Sequence, residues 1–96
     1  WVAEAISSFA DAGDVAILIS SSGESDNIVN GAARALEMGL SVLTLSGFDA
    51  TNRLRTLGEV SLWVDSSFYN VVEITHQTWL LAVVDYLIER DRIRLG

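Results

Sequence analysis

Apolar and polar positions fall in blocks along this chain, and each block has its own period. Residues 2–10 put Val2, Ala5, Ile6 and Phe9 on one helical face, and Gly13 ends that element. Val15–Ile19 is apolar at every position, the pattern of a strand buried on both faces. A helix is predicted from Asp26 to Met38, with Ser25 or Asp26 as its cap and Gly39 as its stop. Gly31 inside it costs about 1 kcal/mol relative to alanine unless close packing requires it. Ser41–Leu45 reads as a second apolar strand, closed by Ser46 and Gly47. Asp49 or Thr51 is placed to cap a short helix over Asn52–Leu57. Val60–Val64 reads as a third strand, and Asn70–Arg90 as a long helix.

Helices and strands therefore alternate from end to end, which predicts a doubly wound parallel α/β sheet with right-handed crossovers. Ligands in such sheets bind beyond the carboxyl ends of the strands. Ser20–Ser25, Ser46–Phe48 and Asp65–Tyr69 all fall at that edge. Three strands make a small sheet, however. The last helix is apolar nearly all round (Trp79 to Val84, then Leu87 and Ile88), so other elements or another subunit are expected to cover it.

Composition sharpens this picture. A 96-residue chain that is 50% apolar has more hydrophobic surface than so small a globule easily covers. Self-association, or membership of something larger, is the expectation, and a first residue that is Trp rather than Met suggests a fragment or a processed product. Wholly apolar runs reach only about five residues, against the roughly 20 of a membrane-spanning helix, so no such helix and no membrane partner are expected. Glu4, Asp11 and Asp14 in the first stretch argue against a secretory leader. Cysteine is absent, which fits a cytoplasmic protein and removes disulfides and thiolate sites. Lysine is absent too, which removes Schiff-base chemistry and a P-loop lysine from these residues. Over residues 1–89, three arginines against twelve acids leave a net charge of −9, so nucleic acid is not an expected partner.

The most informative segment lies between the first strand and the helix after it. There the apolar run stops at Ser20, Ser21, Ser22 and Gly23, and the helix starts just beyond. Hydroxyls thus meet the free N–H groups and the partial positive charge of a helix start, a combination suited to phosphate. Serine and glycine also favour ordinary strand-to-helix turns, and Glu24 is an unfavourable neighbour for an anion unless it points away. Arg53 and Arg55 follow the second strand's loop, where one of them could reach a ligand phosphate, but solvent exposure is the expectation, as it is for the Arg90–Arg94 tail.

The order Ser20-Ser21-Ser22-Gly23-Glu24-Ser25-Asp26-Asn27 resembles the Ser-x-Ser-Gly-x-Ser-x-Asn signature of sugar isomerase (SIS) domains at every signature position. Gly13-Asp14-Val15, Leu45-Ser46-Gly47 and the last helix, with Glu73-Ile74-Thr75-His76 and Leu87-Ile88-Glu89, are similar to segments of the phosphoheptose isomerases of that family. The likeness covers roughly residues 10–90 and implies that the chain, 1–96, is the C-terminal portion of an SIS domain. It implies a flavodoxin-like α-β-α sandwich of which this is an incomplete part, five parallel strands being the full sheet. It further implies a homotetramer with sites between subunits, and a phosphorylated sugar held at Ser20, Ser22 and Ser25, with Ser21 also in the loop. The implied reaction interconverts an aldose and a ketose phosphate, sedoheptulose 7-phosphate and a heptose 7-phosphate, through an enediol.

This sequence also departs from the family pattern. The closing helix of phosphoheptose isomerases offers a glutamine and, two turns on, a histidine for proton transfer and zinc. Glu73 stands where that glutamine is expected, while Leu81 or Ala82 stands in place of the later histidine. His76, the sole histidine, lies about a turn early. Glu73 and His76 are three residues apart and share a helical face, so they are the candidates for an acid–base pair or for two zinc ligands, the other ligands lying outside this chain. Proton transfer needs a group that titrates near neutrality, as an imidazole does, and His76 is the candidate catalytic residue. Plainer readings compete: Asn70 with Glu73 has the spacing of a capping box, and His76 suits a hydrogen-bonded core position. Two other functions fit the same resemblance, a non-catalytic SIS module that binds a phosphosugar for regulation, and a tetrameric scaffold of the replication-initiator-associating kind.

Overall fold

The computed structural model describes residues Trp1–Leu95. The elements are α1 (Val2–Phe9), β1 (Val15–Ile19), α2 (Asp26–Glu37), β2 (Ser41–Ser46), α3 (Arg53–Leu57), β3 (Val60–Trp63) and α4 (Tyr69–Leu95). The strands form one parallel sheet in the order β1-β2-β3. Leu18 pairs with Thr44 across the first ladder, and Thr44 with Ser61 across the second. Every expected element is present, and most ends agree within a residue or two. The longest extension is at the C-terminal end of α4, which continues into the arginine tail.

One face of the sheet carries the core. Leu18 and Val42 on the strands pack with Ala32 and Ala35 of α2, Leu40 before β2, and Leu54 of α3, while Val2 and Ile6 of α1 close the outside. The small residues of α2 permit this density. A Cβ on Gly31 would stand 2.5 Å from Cγ1 of Val2, so the glycine that weakens the helix is the place where α1 approaches it. Asn27 fixes the same contact from the other side, its Oδ1 accepting from the Trp1 amino group and the Val2 N–H, each at 3.1 Å.

The other face is largely open. Val15, Ile17 and Ile19 are 65%, 49% and 42% exposed, so β1 is an edge strand with one bare face and is not the doubly buried strand that its composition predicted. The pattern recorded what the strand is made to be buried by, and this chain supplies cover on one side only. On the open side α4 touches the sheet only near its own start, where Val72 and His76 are buried close to Leu45. The whole helix is about 40 Å long at 1.5 Å per residue, and beyond its first turns it runs on with Leu81, Val83, Val84 and Ile88 exposed. By length and composition α4 meets the bare criterion for crossing a membrane. Counting unbroken apolar runs missed this because single polar residues interrupt them. The same composition serves a helix enclosed by protein, and the open sheet face beside it has the same need.

In the full-length protein, Val84→Asp is expected to dissociate the assembly or to prevent folding. Sedimentation velocity checks this: a folded monomer, unchanged by the substitution, is the outcome that contradicts enclosure of α4.

Candidate functional site

The serine loop leaves β1 at the carboxyl edge of the sheet. The Ser20 N–H still donates to the Leu45 carbonyl at 3.0 Å, so the loop starts in register with β2. It then folds on itself: the Gly23 N–H donates to the Ser20 carbonyl and to Ser20 Oγ, both at 3.1 Å, and the Glu24 N–H donates to Ser22 Oγ at 3.2 Å. Gly23 adopts φ +69°, and a Cβ there would fall 1.9 Å from Asn52 Oδ1. Both conditions demand glycine. Ser20 and Ser22 accept hydrogen bonds within the loop, and each hydroxyl keeps its O–H to donate. Ser25 is the N-cap of α2, as the sequence indicated, but its side chain makes no capping bond. The first-turn N–H groups of α2 therefore lack the usual side-chain partner.

Asn52 holds the neighbouring loop. Its Nδ2 lies 3.1 Å from Ser46 Oγ, 3.0 Å from the Gly47 carbonyl and 2.9 Å from the Asp49 carbonyl. Its Oδ1 accepts from the Arg55 N–H at 2.8 Å, so Asn52 caps α3, not Asp49 or Thr51. Asp49 instead closes a turn on the Thr51 hydroxyl and N–H, and those two bonds hold its carboxyl below the ordinary value. Between them, Phe48 has φ +61°, the sole non-glycine residue with positive φ among the described residues, an uncommon conformation for a bulky side chain. Its N–H donates to the Ser66 carbonyl at 2.9 Å, and its ring meets Tyr69 edge-on at 4.8 Å.

The two arginines expected in solvent are both engaged. Arg53 Nε lies 2.6 Å from Glu24 Oε1, and its Nη2 lies 2.8 Å from Asp26 Oδ1 and 2.8 Å from the Glu24 carbonyl. Hydrogen bonds to Glu24 and then Asp26 raise the guanidinium above its ordinary value. Glu24, the carboxylate that seemed ill placed for an anion site, is thus paired. Arg55 lies over the Trp63 ring at 4.5 Å and donates to the Ala50 carbonyl at 2.7 Å.

His76 is buried, 3% exposed, with Nε2 2.9 Å from the Ser46 carbonyl. A carbonyl only accepts, so Nε2 carries hydrogen and Nδ1 is the other ring nitrogen, buried without a partner. A cavity of about 380 Å³ lies beside it, lined by Ile19, Ser21, Glu73, His76, Gln77 and Leu80. The structure thus brings Ser21, Glu73 and His76 to one cavity, though they are far apart in sequence. The capping box does not form. α4 starts at Tyr69, so Asn70 lies inside the first turn, and the Val72 N–H donates to the Phe68 carbonyl at 3.0 Å. Glu73 is exposed and free of that structural task.

Among the described residues no group of three or more His, Cys, Asp or Glu is placed to hold a metal. Glu73 and His76 supply at most two donors, against the four positions of a tetrahedral zinc site. These residues alone do not fit a zinc ion.

Comparison with known proteins now bears on this geometry. No known family profile matches the chain. A phosphoheptose isomerase from Neisseria gonorrhoeae superposes over 88% of the chain with a TM-score of 0.81 and 27% identity. One from Francisella tularensis superposes over 88% with a TM-score of 0.80 and 21% identity. The chain has the sugar isomerase (SIS) fold of the phosphoheptose isomerases. A probable phosphoheptose isomerase from Thermoplasma volcanium is 31% identical over 71 residues, 74% of this chain. The chain spans 36% of that relative, and 48% and 45% of the Neisseria and Francisella proteins. The SIS-like serine loop occupies the carboxyl edge of the sheet, where the sequence placed it.

Sequence reasoning missed Asn52 and Arg53. The buried cap was legible in principle, since asparagine directly before a short helix is a favoured cap. The pairing of Arg53 with residues 29 and 27 positions away had no local signal.

Gly23→Ala is expected to destabilise the full-length protein by about 2–5 kcal/mol, from the positive φ together with the clash against a buried amide. Urea unfolding followed by circular dichroism measures it, and a loss below about 1 kcal/mol would show that the loop relaxes freely.

Proposed function

We propose that this chain is the C-terminal part of a phosphosugar isomerase that interconverts aldose and ketose phosphates, sedoheptulose 7-phosphate and a heptose 7-phosphate being the pair. The serine loop carries the reading. Ser20, Ser22 and Ser25 offer hydroxyl donors where the uncapped start of α2 offers N–H groups, an arrangement suited to a phosphate dianion. The likeness to proteins named phosphoheptose isomerase supports it. Ser21 lines the adjoining cavity, so the carbon chain of a sugar phosphate extends from the loop toward α4.

The isomerisation moves a proton between the two carbons of an enediol, which requires an acid–base group beside the sugar. In this chain that group is His76. Its hydrogen on Nε2 is held by the Ser46 carbonyl, which leaves Nδ1 to accept and return a proton. Glu73, on the same cavity, is the second candidate. The remaining catalytic groups, and any further zinc ligands, belong to the rest of the protein or to a neighbouring subunit of a homotetramer.

A second reading has its own support. Nδ1 of His76 is enclosed, and Leu81 and Ala82, where the family's later histidine is expected, are exposed and unreactive. Both facts suit a module that binds a phosphosugar without turning it over.

Replacing Ser20, Ser22 and Ser25 together with alanine should weaken phosphosugar binding by several kcal/mol, at about 1–2 per hydrogen bond. Calorimetry that finds unchanged affinity removes the phosphate assignment. His76→Asn in the full-length protein should lower kcat by about 10²–10⁴-fold with little change in affinity. Near-normal turnover would assign His76 a structural role. Wild type that binds sedoheptulose 7-phosphate and does not isomerise it would favour the non-catalytic module.

A further inference from the structure

An acidic chain that binds a dianion needs its nearest carboxylates neutralised. The two acids closest in sequence to the serines are Glu24, inside the loop, and Asp26, the first residue of α2. Both are bound by one guanidinium, that of Arg53, from the first turn of α3. Arg53 meets Glu24 three times. Its Nε bonds the carboxylate, its Nη2 bonds the main-chain carbonyl, and its own N–H lies 3.4 Å from Oε2. A further loop contact of α3, Leu54 N–H to the Gly23 carbonyl at 3.0 Å, ties the same turn to the same loop.

We propose that Arg53 is a positioning residue for the anion site: by holding Glu24 and Asp26 and halving their combined charge from −2 to −1 it lets the serine loop accept a phosphate monoester. This rests on the reading of Ser20–Ser25 as the phosphate site. Hydroxyls and helix N–H groups act over a few ångströms, so carboxylates further along the chain are screened by solvent and salt, but two within the loop and first turn are not. Without Arg53 those two would leave a charge of −2 beside the phosphate. The Arg53 and Glu24 side chains are about half-exposed and that of Asp26 is 84% exposed, so the ion pairs contribute little to folding and the role is in binding rather than in stability.

The test uses the full-length protein, with inorganic phosphate and sedoheptulose 7-phosphate titrated by calorimetry at low and at high ionic strength. Arg53→Ala should lower affinity about tenfold at low ionic strength and less in high salt. Adding Glu24→Gln and Asp26→Asn to that variant should restore affinity to within about threefold of wild type, since the harmful charges are then gone. Unchanged affinity in Arg53→Ala overturns the proposal. A loss that persists in the triple variant overturns it equally, because a purely structural clamp is not rescued by removing charge. If Arg53→Ala does not fold, Glu24→Gln with Asp26→Asn beside the native Arg53 carries the test. Tighter binding is expected there, and equal or weaker binding overturns the proposal. Wild type that takes up neither ligand overturns the serine-loop reading itself, and the role of Arg53 falls with it. Wild type that binds, with variants that do not differ from it, overturns the role of Arg53 alone.

Discussion

One buried amide holds the carboxyl edge of this sheet together. Asn52, 1% exposed, shares its two N–H donors among the Gly47 and Asp49 carbonyls and the Ser46 hydroxyl, and starts α3 with its oxygen. Gly23 of the serine loop packs directly against it, and the next residue but one, Leu54, bonds the Gly23 carbonyl. The backbone of Ser46 in turn receives His76, so α4 docks on the same knot. A buried polar group is costly unless every partner is present. All of its hydrogen bonds lie within residues 46–55, so the amide fixes that loop, and the serine loop and α4 are seated against the loop it fixes. The carboxyl edge of the sheet is built by this polar cluster, whereas the apolar core of Leu18, Val42 and Leu54 sets the layers beneath it.

The electrostatics of the edge follow from that geometry. α3 starts where Asn52 caps it, and the cap delivers Arg53 to Glu24 and Asp26 and turns Arg55 over Trp63. A third carboxylate, Asp49, is occupied by Thr51. The net charge of −7 describes the whole chain and says little about the few ångströms around the serines.

Period and punctuation made the elements legible. The strands have uniform apolar runs, the helices have caps and glycine stops, and the structure reproduces their order. The position of the serine loop was equally plain, because serines and a glycine mark the turn from a buried strand into a helix. What could not be read was which side of each element finds cover. Val15–Ile19 looks doubly buried, yet Val15, Ile17 and Ile19 are bare, since a strand's composition records its apolarity and not which element covers it. Tertiary choices between rival caps were also hidden. Asp49, Thr51 and Asn52 are all plausible before α3, and only the burial of Asn52 decides among them. For His76 the sequence offered ligand or core, and the structure shows it buried with one ring nitrogen hydrogen-bonded to Ser46.

Asn27 shows how a motif residue can be misleading about its task. It stands in the SIS-like serine signature, yet its side-chain oxygen is committed to the N-terminus of α1 through Trp1 and Val2. Selection for the seating of one helix would leave the same mark in an alignment as selection for ligand contact. A substitution there would tilt α1 against Gly31 of α2 before it touched the loop. The same eight residues thus carry two architectural tasks, the folding of the serine loop on itself and the seating of α1 by the asparagine.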